Sequence, residues 1–234
     1  MSRIDGEPEG FHSFHCRPSG GWEAQLAKQR EGPPYYSLLM TGVETEIKFS
    51  VDDLEALARR LEGAGFHLDT PRTFERNVLF DTPDRTLRAR TEIVRIRFYD
   101  GKWTLTHKRV PDDGPGEDRH KHRVETETGI DDGAALAEVF RSIGLVPAFR
   151  YEKWRSEWSD SVGHCVVDET PIGNFAELEG EPEWIDRIAS ALGVPSSRYM
   201  TLSYGRLFEQ WKEEHKSLAE HLTFDEIGAE AAKR

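Results

Sequence analysis

The sequence predicts an α+β chain with flanking helices and about eight strands, mostly antiparallel, that are able to close into a barrel. From residue 43 onward, segments of alternating apolar and polar residues recur along the chain, as expected for strands. Only four segments carry apolar residues at helical spacing. Charged residues also repeat on one face of several strands with unusual regularity, which bears on how the sheet packs.

The first strong element is a strand over 43–49, where apolar and polar residues alternate strictly. Ser50 and Asp53 then match a capping box, with Ser50 at the N-cap and Asp53 at the N3 position. The helix that follows carries an apolar stripe over 54–61 and ends at two nearby glycines.

The other elements follow in chain order. Asp100-Gly101 predicts a two-residue hairpin turn between two strands. Further strands are predicted at 72–81, 91–99, 102–110, 120–129, 148–159, 162–169 and 172–180. Further helices are predicted at 131–143, 181–192 and 201–222, the last of them opening at Ser203-Tyr204.

Composition divides the chain into three regions. Residues 1–42 hold Gly-Gly and Pro-Pro pairs without a sustained period, which predicts a loosely ordered N-terminal extension. Residues 43–222 form the predicted domain, and 223–234 form a C-terminal tail. Inside the domain, Glu-Thr-Glu precedes a helix twice, at 44–46 and 125–127. This repetition indicates either two similar halves around one cavity or a chance similarity of two strand–helix units.

The 234 residues carry a net charge of −12, which argues against a protein that coats nucleic acid. Two cysteines, Cys16 and Cys165, exclude a disulfide framework and a cysteine-rich zinc site. The apolar runs are too short for a transmembrane helix, and the polar, acidic start differs from a secretory signal. We therefore expect a cytoplasmic protein that is not membrane-bound. A homodimer is possible.

The charged strand positions allow two packings. In one, the sheet buries its apolar face under helices and exposes its charges to solvent. In the other, the sheet closes and the charges point into a wet lumen. The balance of signs favours the lumen, because a mixture of acids and bases there suits a bound anion together with a bound cation. The acids are Glu44, Glu46, Glu125, Glu127, Asp168, Glu177 and Glu179, and the bases are Lys48, Arg95, Arg97, Lys108, Arg123, Lys153 and Arg155.

The residue types in this set predict a class of ligand. Carboxylates without a thiolate or a histidine cluster suit Mg²⁺ or Mn²⁺. Arginines and lysines that converge from several strands suit a chain of phosphates. A polyphosphate bound with a hard divalent cation is the expected ligand.

The same residues resemble a known family, the CYTH superfamily, also called triphosphate tunnel metalloenzymes. Glu44-Thr45-Glu46-Ile47-Lys48 is similar to the ExExK strand of that family. The resemblance covers roughly residues 43–210, and seven further elements follow in the family's order. They are FDTPD at 80–84, RIR at 95–97, TLTHK at 104–108, RVETE at 123–127, KWR at 153–155, VD at 167–168 and FAELE at 175–179.

The resemblance implies an eight-stranded antiparallel tunnel and a role for each charged residue. Lys48 would contact phosphate or help to activate the nucleophile, and Asp168 would hold a second metal or orient water. Arg76 would add a peripheral contact. The implied ligands of Mg²⁺ or Mn²⁺ are Glu44, Glu46, Glu177 and Glu179. The implied ligands of the triphosphate are Arg95, Arg97, Lys108, Arg123, Lys153 and Arg155.

Three functions stay open. The first is a metal-dependent triphosphatase that hydrolyses inorganic triphosphate, thiamine triphosphate or a nucleoside triphosphate. The second is a class IV adenylate cyclase, because the same tunnel serves either attacking group. The third is a non-catalytic module that binds polyphosphate or nucleotide. We favour hydrolysis as the less demanding reaction. The sequence shows no paired aromatic clamp for an organic ring, so we expect the triphosphate itself to supply most of the binding energy.

Overall fold

The computed structural model describes residues 40–112, 114 and 119–231, so nearly all of the predicted N-terminal extension lies outside the described residues. Eight strands form one closed barrel in the order β1-β5-β4-β3-β2-β6-β7-β8, and every neighbouring pair is antiparallel. The predicted fold class is confirmed. The strands are β1 (Met40–Ser50), β2 (His67–Asp81), β3 (Ile93–Tyr99), β4 (Lys102–Arg109), β5 (Lys121–Ile130), β6 (Val146–Ser159), β7 (His164–Thr170) and β8 (Gly173–Glu179).

Six α-helices flank the barrel in the described part of the chain. None of them combines the length and apolar character that a membrane crossing requires. A 3₁₀ turn, Ser196–Arg198, precedes the fifth helix. The helices are α1 (Leu54–Gly63), α2 (Thr86–Ala89), α3 (Gly133–Ser142), α4 (Pro182–Ala191), α5 (Tyr204–His215) and α6 (Phe224–Ala231).

The helix ends differ from the prediction in two places. The N-cap of α1 is Asp53, whose Oδ1 accepts a hydrogen bond from the Ala56 amide at 2.8 Å, whereas Ser50 still belongs to β1 and pairs with β8. The predicted helix over 201–222 ends at His215, because Lys216 adopts a left-handed conformation with φ 51°.

Two further helices were not predicted. One is α2, a single turn in the β2–β3 connection. The other is α6, which occupies most of the segment that the sequence analysis assigned to a C-terminal tail. Phe224 at the start of α6 packs on Phe74 of β2 with ring centroids 6.3 Å apart, so α6 lies against the outside of the barrel.

Two hairpin and helix-end predictions agree with the structure. Asp100 and Gly101 both have positive φ, at 48° and 71°, as a two-residue hairpin turn requires. The two Glu-Thr-Glu segments both lie on strands that lead into a capped helix, namely β1 into α1 and β5 into α3. Gly65 and Gly144 end these helices with φ 90° and 95°, a conformation that favours glycine.

Apolar side chains pack on the outside of the barrel beneath the helices. The largest cluster joins Ile47 and Leu178 of the barrel to Leu61 of α1 and Ile185 of α4, all of them completely buried. A second cluster lies under α5 and α6, and a third under α3. Because most apolar side chains point outward, the inward faces of the strands carry mainly polar and charged residues, with a few apolar side chains near α5.

Candidate functional site

The barrel encloses a cavity of about 1040 Å³, and every strand contributes side chains to its lining. Arg97 and Lys153 line this cavity, whereas their neighbours Phe98 and Trp154 pack on aromatic rings outside the barrel. The lumen packing predicted from alternation is therefore confirmed. All of the predicted site residues line the cavity except Asp168.

Carboxylates gather around the junction of β1 and β8. Glu46 lies opposite Glu179 in the strand register. Glu44 accepts a hydrogen bond from Lys108 Nζ at 2.5 Å, and Lys121 pairs with Glu46. Part of Glu179 is still exposed, but withdrawal from bulk water, followed by repulsion from Glu44 and Glu46, raises its pKa to about 8. Three carboxyl groups thus lie close enough at this junction to affect one another's ionisation.

This carboxylate group fits a divalent metal by its donor chemistry. Oxygen donors are those that Mg²⁺ and Mn²⁺ prefer, and Glu44, Glu46 and Glu179 offer such donors on one wall of the cavity. In the described ranges no three Asp, Glu, His or Cys side chains are already arranged to hold a metal ion. In this structure the Lys108 and Lys121 ammonium groups supply the positive charge to Glu44 and Glu46.

Three arginines on β3 and β5 face the cavity. Arg95 donates to Tyr151 Oη at 3.1 Å and to Thr106 Oγ1 at 3.0 Å, and Arg97 donates to Glu127 at 3.2 Å. Within the described chain, the buried Nε atoms of Arg95 and Arg97 have no hydrogen-bond partner. The guanidinium groups that line the cavity fit an anionic ligand inside the lumen. Arg123 lines the same cavity opposite Glu44.

A buried ionic network crosses the middle of the barrel. Lys153 Nζ lies 2.9 Å from Asp168 Oδ2 and 3.4 Å from Glu75 Oε1. Arg155 also contacts Asp168, and its Nη2 lies 3.2 Å from Glu177. Asp168 and Glu75 are completely buried. The network therefore fixes where Lys153 and Arg155 present their charge to the cavity.

Lys48 is buried between Glu177 and α5. Its Nζ lies 2.6 Å from Glu177 Oε1, donates to the Leu202 carbonyl at 3.2 Å and sits 4.5 Å from the centre of the Tyr204 ring. Burial alone would lower the pKa of Lys48, but Glu177 and Glu46 outweigh it and raise that pKa. Lys48 is consequently a cation at neutral pH, suited to contact phosphate and unsuited to accept a proton.

The structure adds charged residues of the lumen that the sequence analysis missed, and it places the side chain of Arg76 away from the cavity. Glu75 and Lys121 take part in the ionic pairs of the lumen. Glu75 shares its strand face with Asn77. The alternation of polar residues on β2 is therefore the signal by which the sequence could have placed Glu75 in the lumen. Arg76 has the opposite parity, and its guanidinium lies over the Phe98 ring outside the barrel at 5.1 Å, so the structure does not place it at the cavity.

Apolar side chains line one end of the cavity, near α5. Phe149 of β6 lies 5.7 Å from Phe208 of α5, measured between ring centroids. Leu79 of β2 and Leu202, which precedes α5, line the same end. These residues come from three separate segments, so no local sequence pattern marks them as a group.

Comparisons with known proteins agree with this geometry. Residues 42–192 match the family model described as the CYTH domain. A protein of Methanocaldococcus jannaschii named a putative adenylate cyclase is 30% identical over 139 residues, which are 58% of this chain and 76% of that relative.

Two solved structures share the fold. A putative adenylate cyclase from Vibrio parahaemolyticus superimposes with a TM-score of 0.61 at 19% identity, covering 73% of this chain and 99% of the other. A putative adenylyl cyclase from Hippeastrum, described as having a dominant triphosphatase activity, superimposes with a TM-score of 0.53 at 22% identity, covering 72% of this chain and 96% of the other. At these identities the two structures establish the fold alone.

Proposed function

The chain belongs to the CYTH domain family, and from this premise we propose that it is a metal-dependent triphosphatase acting on a small-molecule triphosphate. The observation that carries the proposal is the convergence, around one cavity, of the guanidinium groups of Arg95, Arg97 and Arg123 with the carboxylates of Glu44, Glu46 and Glu179. A cationic wall beside an acidic wall suits a phosphate chain bound together with a divalent cation.

The proposed chemistry needs little covalent help from the protein. Phosphoryl transfer depends mainly on in-line positioning and on stabilising the charge that spreads over the transferred group. Arg95, Arg97, Arg123 and Lys108 would hold the phosphate oxygens. Lys48, protonated and fixed by Glu177, would stabilise developing negative charge without changing its own protonation state.

Glu44, Glu46 and Glu179 would hold the Mg²⁺ or Mn²⁺ ion, which when bound acts as a Lewis acid on phosphate oxygens. Glu177 is engaged by Lys48 and Arg155, so its role would be to position those cations. Asp168 would act in the same way, because Lys153, Arg155 and Tyr204 all donate to it.

A second candidate is adenylate cyclase activity. It is favoured by the relative from Methanocaldococcus jannaschii, which is named a putative adenylate cyclase. The activity described for the Hippeastrum protein supports hydrolysis instead. Both reactions use the same phosphate and metal ligands and differ in whether water or a ribose hydroxyl attacks. A module that only binds its ligand is the third candidate.

One experiment separates the three candidates. The protein is incubated with Mg²⁺ in three separate reactions that contain ATP, thiamine triphosphate or inorganic triphosphate. Phosphate, pyrophosphate and cyclic AMP are quantified in each reaction. We expect release of phosphate without cyclic AMP. Equal amounts of cyclic AMP and pyrophosphate would establish the cyclase, and binding without any product would establish the module. A Glu46→Gln preparation purified in parallel controls for contaminating phosphatases.

A further inference from the structure

Two lysines hold carboxylates that we assign to the metal, and they hold them differently. Lys108 of β4 lies between two acids, with its Nζ 2.5 Å from Glu44 Oε2 and 2.7 Å from Glu125 Oε2. Lys121, the first residue of β5, pairs with Glu46, its partner in the strand register. Across the part of the chain that the structure describes, Glu46 is the only carboxylate that pairs with Lys121. A cation that displaces both lysines would leave Lys108 anchored by Glu125 and release Lys121 completely.

The Lys121 side chain is largely withdrawn from solvent. It lines the cavity and is 14% exposed, against 80% for Lys102 on the surface of β4. An ammonium group in such a place needs an anionic partner, because an unpaired buried charge is strongly destabilising. Once separated from Glu46, the ammonium group is therefore stable in the cavity only beside another anion.

A second anion is expected within reach of Lys121. Arg123 lines the same cavity from the same face of β5, two residues further along the strand, and we place it among the ligands of the triphosphate. Residues spaced in this way are about 7 Å apart. The ammonium group sits on a flexible four-carbon stem, so a change of side-chain rotamer is enough to turn it from Glu46 towards the phosphates.

Competition for Glu46 would drive this movement. A divalent cation carries twice the charge of an ammonium group, so it attracts a carboxylate more strongly and repels an ammonium group at close range. Lys121 and a metal ion on Glu46 consequently disfavour each other. A triphosphate bound beside them removes the conflict, because its oxygens offer Lys121 a new charged partner while the metal keeps Glu46.

We propose that Lys121 is an exchange cation, which neutralises Glu46 while no metal is bound and moves to the triphosphate when a divalent cation takes that carboxylate. The inference rests on the proposed function, since it uses the metal and phosphate ligands assigned there. It makes the binding of metal and triphosphate cooperative, because the metal displaces the ammonium group that the triphosphate then accepts.

Lys121→Met tests the inference, because it removes the ammonium group and keeps an unbranched side chain of similar length. Lys121→Gln is a second neutral variant that can still donate a hydrogen bond to Glu46, and Lys102→Met removes an exposed lysine as the matched control. Isothermal titration calorimetry measures the affinity of each protein for Mn²⁺ alone, for a non-hydrolysable triphosphate analogue alone, and for the analogue at saturating Mn²⁺. Association of Mn²⁺ with the analogue in solution contributes equally to every protein. Circular dichroism and thermal melting verify that the variants fold.

We expect Lys121→Met to bind Mn²⁺ alone about tenfold more tightly than the wild type, because no ammonium group competes for Glu46. The coupling factor, by which Mn²⁺ strengthens binding of the analogue, should fall by about tenfold in the same variant. A positive charge that stayed in one place would change the two affinities separately and leave the coupling factor unchanged. Lys121→Gln should behave like Lys121→Met, and Lys102→Met like the wild type.

Two results would overturn the inference and leave the proposed function in place. One is an affinity for Mn²⁺ alone that Lys121→Met leaves unchanged or lowers, and the other is an unchanged coupling factor. A crystal structure with Mn²⁺ and the analogue gives a direct check, in which Lys121 Nζ should contact a phosphate oxygen and an ammonium group still paired with Glu46 would contradict the exchange. A wild type that binds no Mn²⁺, with or without the analogue, would contradict both the exchange and the metal dependence of the proposed function.

Discussion

Arg155 holds Asp168 with two parallel hydrogen bonds, from Nε to Oδ1 and from Nη2 to Oδ2, each 2.7 Å long. Lys153 and the Tyr204 hydroxyl donate to the same carboxylate at 2.9 and 2.6 Å. Asp168 is completely buried and does not line the cavity. A carboxylate engaged in this way suits a role in orienting cations better than a role in binding a second metal or a water nucleophile.

Asp168→Asn should therefore weaken both stability and triphosphate binding. Removing one partner of a buried ion pair typically costs about 3–5 kcal/mol, and Arg155 and Lys153 would lose their alignment. We expect a higher KM for the triphosphate and an unchanged Mg²⁺ concentration for half-maximal activity. Urea unfolding measures the stability. Turnover at increasing triphosphate concentration gives KM, and a Mg²⁺ titration gives the Mg²⁺ concentration for half-maximal activity.

Tyr204→Phe is the control for this prediction, because it removes one donor to Asp168 and keeps the charge of the network. It should show a smaller effect of the same kind. A large increase in the Mg²⁺ requirement of Asp168→Asn, with KM unaffected, would return Asp168 to the role of a metal ligand.

Alternation along single strands explains how much of the site could be predicted from the sequence. Inward and outward directions follow from a period of two, so Arg97 and Lys153 were placed in the lumen and Phe98 outside it. Contacts between strands depend on how neighbouring strands are aligned in register, and the pattern of a single strand does not determine that alignment. The pairing of Lys153 with Glu75 and the apolar end at Phe149 are such cases.

The helix boundaries show the same limit. Ser50 matches the first residue of a capping box, but hydrogen bonding to β8 keeps it in the strand, and Asp53 caps the helix instead. Tertiary pairing thus overrides a local capping preference. No glycine or proline marks the left-handed turn at Lys216. The predicted helix over 201–222 therefore extends past its actual end at His215.

Glu46→Gln should abolish turnover while leaving the fold intact. The substitution keeps the size of the side chain and removes one negative charge from the carboxylate group that we propose binds Mg²⁺. Phosphate release at increasing Mg²⁺ concentration is the measurement. Glu213→Gln, at an exposed position of α5, is the matched control and should retain full activity. Turnover of Glu46→Gln near that of the wild type at saturating Mg²⁺ would contradict the assignment of the metal ligands.

Arg97→Met and Arg76→Met form a pair that tests the direction of side chains on adjacent strands. Arg97 faces the cavity, whereas Arg76 lies on the outer surface over Phe98. A charged hydrogen bond to phosphate is worth about 1.5–3 kcal/mol, so Arg97→Met should weaken binding of inorganic triphosphate by about ten- to a hundredfold. Arg76→Met should leave binding unchanged. Isothermal titration calorimetry measures the affinity of each variant for inorganic triphosphate. An equal loss of affinity in both variants would contradict the assignment of Arg97 to the cavity and Arg76 to the outer surface.

Glu75→Gln should remove a pH-dependent part of the stability. Burial alone would raise the pKa of Glu75, but Lys153 and Arg155 outweigh burial and lower that pKa from 4.5 to about 2. Between these values the unfolded chain binds a proton that the folded chain does not, so the free energy of unfolding decreases as the pH falls from 4.5 towards 2. The contribution is fully present above pH 4.5 and is lost as the pH falls towards 2.

Urea unfolding of the metal-free protein between pH 2 and pH 7 tests this last prediction, with Glu213→Gln as the exposed control. The difference in unfolding free energy between wild type and Glu75→Gln should be largest at neutral pH and shrink steadily below pH 4.5. Subtracting the two curves removes the contribution of every other carboxylate that is unaffected by the substitution. A difference that is constant over the whole range would show that Glu75 acts through its shape alone. A difference that grows as the pH falls would show that burial prevails over the two cations and that Glu75 is protonated in the folded barrel.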